Sequence, residues 1–181
     1  MKIRFTLSVA MAAAALALLG AGCNPMQSAQ QAAADKLAGS LLSKASGGKV
    51  TVNSEGGQYT YKDNKSGAEM TIGENAQLPS DFPTDVPLYA GAKPTSVLVN
   101  KQDNTANITL TTDAATADVV KWYEGKFKAD GWSEDQNTTV NSVEFRQYSK
   151  GSVKMTLSVW PNAEEGKKGT FITVNRSEEK Q

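Results

Sequence analysis

Several short runs in this chain carry residue types able to do chemistry. Ser46-Gly-Gly-Lys49 and Lys65-Ser66-Gly67 imitate the serine and lysine motifs of acyl-transferring enzymes, in which lysine helps activate the serine hydroxyl. Those motifs need a serine opening a buried helix and a triplet far away on a strand. Here the serine ends a helical stretch and the two motifs lie close together, so chance accounts for the match. Asp63-Asn-Lys-Ser-Gly-Ala-Glu69 has oxygens enough for calcium. It lacks the alternating acidic register and the glutamate at position twelve, and a hairpin turn fits it better. Asp81 and Asp85 stand four apart, as a general acid and base could, but in a proline-rich stretch with no helix to make them converge. Glu144, Asp113 and Glu124 could supply a carboxylate hydrolase, although their spacing gives no paired geometry. Histidine is absent and Cys23 is the single cysteine. Ser-His-Asp and Cys-His catalysis, His- or Cys-held zinc, haem ligation and disulfide exchange are thereby excluded. The expectation is a non-enzyme with no catalytic residues, no cofactor and no metal.

Cys23 has a context of its own. Lys2 and Arg4 precede an apolar run from Phe5 to Leu19, and the small residues Gly20-Ala21-Gly22 lead directly to the thiol. Residues 5–22 are 18 positions, short of the roughly 20 needed to span a bilayer, so the run reads as a cleavable signal peptide. Leu18-Leu-Gly-Ala-Gly-Cys23 resembles the lipobox of bacterial lipoproteins, with glycine at a position where leucine is commoner. The resemblance implies a diacylglycerol thioether on Cys23, cleavage before it, and a membrane anchor. Two or more acyl chains hold a protein stably where one does not. Asn24 follows instead of aspartate, which in such lipoproteins implies the outer membrane, with the body facing the periplasm.

Losing Lys2 and Arg4 leaves a mature chain slightly acidic overall. No basic face is visible with which to displace counterions, so nucleic acid is not an expected partner. The domain order expected is a signal peptide (1–22), a lipidated helical tether (23–48), a β-meander (49–74), a proline-rich strap (75–94), an α+β domain (95–176) and a disordered tail (177–181). The tether ends at Gly47-Gly48. Alternating Val50/Val52, Tyr59/Tyr61 and Met70/Ile72 mark the meander. Pro79, Pro83, Pro87 and Pro94 hold the strap extended, with Leu78, Phe82, Val86 and Tyr89 to pin it down. In the main domain two strands precede a helix over 115–129, capped by Thr112 or Asp113, with Val119, Val120, Tyr123 and Phe127 on one face. Further strands follow, and Val153, Met155, Leu157 and Val159 alternate without a break. The fold class expected is therefore α+β: an antiparallel sheet with one packed amphipathic helix, preceded by an N-terminal helix and a small meander.

Leu78-Pro-Ser-Asp-Phe-Pro-Thr-Asp-Val-Pro-Leu-Tyr89 followed by Thr111-Thr-Asp, Val119-Val-Lys-Trp-Tyr123 and Gly131-Trp132 is similar to segments of uncharacterised bacterial lipoproteins. That resemblance spans about residues 50–176 and implies a fold and a location but no active site. The strand–helix–strand order also resembles, at fold level, the helix-grip lipoprotein domains of the β-barrel assembly machinery. Trp122 at the edge of the helix's apolar face, and Trp160 opposite Val159, form a possible partner surface; capping the core edge is the plainer role. The function expected is a non-enzymatic binding or scaffold module. It would be held to the membrane by acyl chains on Cys23 and would contact an envelope protein or peptidoglycan. A small apolar-ligand carrier is the alternative, and a carboxylate hydrolase a second one.

Overall fold

The computed structural model describes residues 36–179, apart from positions 38, 42, 45, 47, 56 and 164–167. Cys23 and the leader lie outside the described residues, as does most of the tether. Nine strands form one sheet: β1 (Val50–Glu55), β2 (Gln58–Asp63), β3 (Glu69–Ile72), β4 (Lys93–Asn100), β5 (Thr105–Thr112), β6 (Ser133–Val140), β7 (Val143–Lys150), β8 (Val153–Pro161) and β9 (Thr170–Glu178). Their order is β1-β2-β3-β4-β5-β9-β8-β7-β6, antiparallel throughout. One helix, α1 (Thr116–Ala129), connects β5 to β6.

The α+β expectation is overturned. Met70 of β3 pairs with Leu98 of β4, so the meander is the first third of a continuous sheet and not a separate small layer. Strands dominate the described residues, and the fold is a sheet carrying one full helix. The expected N-terminal helix is represented among them only by a short helical stretch within 36–44. β9 also runs on to Glu178, pairing Ser177 with Lys154, two residues into the expected tail.

Alternation sorts the side chains into two faces. Val97 and Val99, Ile108 and Leu110, Ile172 and Val174, and Met155, Leu157 and Val159 point to the side that α1 covers, and all are buried. Val119, Val120, Tyr123 and Phe127 recur at helical spacing and meet them. Tyr148 stacks on Phe127 with centroids 4.1 Å apart, and Trp132 meets the same ring edge-on at 5.7 Å. The helix begins at Ala115 with no side-chain cap, contrary to the expected Thr112 or Asp113. Thr112 instead accepts a hydrogen bond from the Ala114 N–H, and Thr116 shares one with Thr170 of β9 at 3.1 Å.

The strap lies over the inner face. Gln58 of β2 donates to the carbonyls of Glu74 and Asn75 and accepts from the Gln77 N–H, which fixes where the strap starts. Ala76 and Val86 are buried, and Leu78, Phe82 and Tyr89 pack against the core. The buried Tyr123 hydroxyl then donates to the Pro87 carbonyl at 3.2 Å, joining helix to strap. Burial pushes that phenol's pKa up, so it stays protonated as a donor.

On the outer face, Gly39 of the short helical stretch lies against β1. A Cβ there would come within 2.9 Å of the Val52 carbonyl oxygen, so that contact requires glycine.

Phe127→Ala should cost about 3–5 kcal/mol, because it empties the centre of the aromatic stack. Tyr123→Phe should cost about 1 kcal/mol, the net worth of one buried hydrogen bond. Urea denaturation of both variants measures these losses. A Phe127→Ala cost near zero would mean that α1 is not seated as described.

Candidate functional site

Tyr89 from the strap, Trp122 from α1 and the buried Tyr123 form an aromatic step where strap meets helix. Tyr89 meets Trp122 edge-on at 5.2 Å, and Trp122 meets Tyr123 edge-on at 4.8 Å. Trp122 is only half-buried. It lines an open depression of about 490 Å³ with Tyr89, Asp118, Lys121, Gly125 and Lys126. Gly125 sits inside the helix, where glycine costs about 1 kcal/mol relative to alanine. A Cβ added there would meet nothing within 4 Å. No packing requirement explains this glycine, which borders the depression beside the half-buried indole.

A second depression of about 480 Å³ lies along the same strap, at the C-terminal end of α1. Thr84, Asp85 and Pro87 line one side, Lys126 and Asp130 the helix side, and Trp132, Lys150 and Val153 the remainder. Its lysines are already engaged. Lys126 donates to the Asp130 carboxylate at 3.1 Å, and Lys150 to the Asp130 carbonyl at 2.7 Å.

The carboxylates singled out from sequence fall into separate places. Asp81 pairs with Lys101 at 2.7 Å. Asp85 takes the Arg176 Nε–H on both oxygens at 3.0 Å. The two acids thus fasten the strap to β4–β5 and to β9, and they do not face each other. Burial works against the Arg176 charge, but Asp85 and Glu178 outweigh it and raise the guanidinium's pKa.

Glu124 and Glu144, by contrast, are brought together. Both reach Nη2 of Arg146, at 3.2 and 3.1 Å, and Asn137 accepts from Nη1. Arg146 is 6% exposed and faces α1 from β7. This cluster was not legible in sequence, because Arg146 alternates with apolar residues and nothing marked it as inward. Two carboxylates converge on one buried guanidinium, Glu124 from α1 and Glu144 from β7, so the cluster ties the helix to the sheet.

Asp113 lies elsewhere, in a polar depression of about 500 Å³ with Lys93 and Lys168. Ser46 closes a turn, donating to the Ser43 carbonyl and accepting from the Val50 N–H. Asp63 accepts from the Lys65 and Ser66 N–H groups, and these bonds lower its pKa. Tyr148's phenol is pushed up to about 12 by burial, reinforced by the Glu134 charge across the strand. It is no proton shuttle near neutrality.

Trp160 stays far from Trp122. It sits on the outer face, near-parallel to Phe171 with centroids 5.7 Å apart. The expected partner surface is therefore two surfaces on opposite sides of the sheet.

A family model described as START domain-like matches residues 94–169, from β4 through α1 to β8 and into the loop before β9. The match covers less than half of the chain and leaves out the meander and the strap. START-like domains are generally binding modules. No curated protein and no solved structure matches. No helix among the described residues is long and apolar enough to cross a membrane.

The Lys101 hydrogen bond lowers the Asp81 pKa below its ordinary 3.8. Stability from that pair is present above 3.8 and lost as pH falls through the depressed folded value. Asp81→Asn should therefore lower Tm slightly at pH 6, and the difference from wild type should shrink as pH falls below 3.8. A gap that persists unchanged in acid would show that the ion pair does not hold the strap.

Proposed function

We propose that this chain is a non-enzymatic binding module that takes a small apolar ligand at the seam between strap and helix. The observation carrying this reading is the aromatic step itself: Trp122 and Tyr89 stand half-buried in an open depression of about 490 Å³, beside Gly125, a helix-interior glycine that no packing contact requires. The START-like match supports a binding role for the same helix and sheet. Between α1 and the sheet the space is filled by Tyr123, Phe127 and Tyr148. A ligand therefore sits beside the helix, against the indole face, and not beneath it. Lys121 at the rim suits a ligand with a polar or anionic end.

The module works at the cell envelope in this reading. Cys23 carries the acyl chains, and the body faces the periplasm from the outer membrane. The lipobox-like Leu18–Cys23 run supports that placement, and the lack of histidine supports a role by contact.

The neutral fluorophore N-phenyl-1-naphthylamine, titrated into the mature chain made without its leader, tests the site. Saturable one-to-one enhancement is expected, weakened at least tenfold by Trp122→Ala. Gly125→Leu is the sharper variant. Leucine gains up to about 1 kcal/mol of helix propensity, and its side chain lies back over the preceding turn, covering the indole. Binding should fall while stability holds or rises. Unchanged binding in Gly125→Leu, or no enhancement at all, would contradict the assignment.

A further inference from the structure

The outer sheet face differs from the rest of the surface. About a fifth of the chain is charged, 21% of residues. Yet two adjacent cross-strand rows from β4 to β6 hold no charge. One runs from Leu98 through Asn107, Asn175, Thr156 and Gln147 to Gln136. The other runs through Ser96, Thr109, Thr173 and Ser158 to Phe145. Thr109 and Thr173 share a hydrogen bond at 3.2 Å, which ties the hydroxyls of neighbouring strands into register. Phe171 and Trp160 lie one step along the same face, and Phe145 is diagonal to Trp160. Three rings thus cross β9, β8 and β7 in a line. Trp160 and Phe171 are partly exposed, and Phe145 is 38% exposed.

Hydroxyls and amides repeat here about every 4.8 Å across strands and about 6.6 Å along them, beside flat rings. This chemistry discriminates among partners. Nucleic acid or an acidic polymer needs clustered cations, and the face has Lys93 and Lys168 beside Phe171 at one margin, near Asp113, and Lys154 at another, paired with Glu179. A membrane surface needs a broad apolar face with a basic rim. A protein interface places its apolar core centrally, whereas here the centre is hydroxyl and amide. An uncharged polyhydroxylated chain fits both parts: its C–H faces rest on aromatic rings, and its hydroxyls exchange hydrogen bonds with Thr, Ser, Asn and Gln.

We propose that the outer sheet face is a binding site for a linear, uncharged glycan chain, with Trp160, Phe171 and Phe145 as its aromatic track. The site is independent of the ligand seam at Trp122, which lies on the other side of the sheet.

The purified full chain is titrated with N-acetylglucosamine hexamer and with glucose hexamer, following tryptophan fluorescence. The expected result is saturable binding of at least one hexamer, tenfold or more tighter than its monomer. Affinity should change less than about twofold between 0.05 and 0.5 M salt, since no charge is involved. Trp160→Ala should weaken binding at least tenfold. Asn175→Lys, at an exposed position away from the core, should do the same without touching the fold. Trp122→Ala should leave it unchanged. A preference for the N-acetylated hexamer would identify an amino-sugar polymer as the source, and a preference for glucose a plain hexose polymer. Binding of neither hexamer, or full affinity in Asn175→Lys, overturns the proposal. So does a dimer that vanishes in Trp160→Ala without any sugar binding.

Discussion

A single helix has to cover a sheet wider than itself. The 14 residues of α1 make about 21 Å of helix, while nine strands at about 4.8 Å spacing spread over nearly twice that. Apolar residues on the inner face beyond its reach would meet water without another cover. The proline-rich strap supplies it. Proline fixes φ and withholds a donor, so an extended segment can lie on a sheet without competing for ladder hydrogen bonds. Gln58, Lys101, Arg176 and Tyr123 hold it from four directions. Covering a sheet with two unlike pieces creates a seam between them, and the half-buried Trp122–Tyr89 pair stands on that seam.

The same constraint shapes what the module can do. Its interior between helix and sheet is filled with rings, so both proposed binding surfaces lie outside it, at the seam and on the outer face. Most of the carboxylates singled out from sequence serve structure. Asp81 and Asp85 fasten the strap, Glu124 and Glu144 share a buried arginine, and Asp63 closes a hairpin turn. The proposed reading is that such a body acts by contact, and the START-like match over residues 94–169 supports it.

Local periodicity made much of this legible. Val119, Val120, Tyr123 and Phe127 announced the buried helix face, and Val153 to Val159 announced β8. The turns at Asp63–Gly67 and Lys150–Gly151 separated the strands they now join. What sequence could not give was long-range pairing. Nothing in Met70 or Leu98 says that they are neighbours, so whether the meander joins the main sheet stayed open, and the α+β class underestimated how far one sheet dominates the fold. Strand β6 is exposed along its whole length, so it lacks the alternation that marks a half-buried strand. Arg146 was missed because a charged residue in a strand reads as outward until its partners are known. Trp122 and Trp160 were both legible as unusual, but their separation by the sheet depends on strand direction, which spacing alone does not fix.

Chemical-shift mapping of the isotopically labelled chain with N-phenyl-1-naphthylamine is the most direct measurement. Amide shifts confined to the strap near Tyr89 and to residues 118–126 of α1 are the result the account predicts. Shifts spread through the core strands β5, β8 and β9, or absent everywhere, would contradict a ligand seam beside a filled interior.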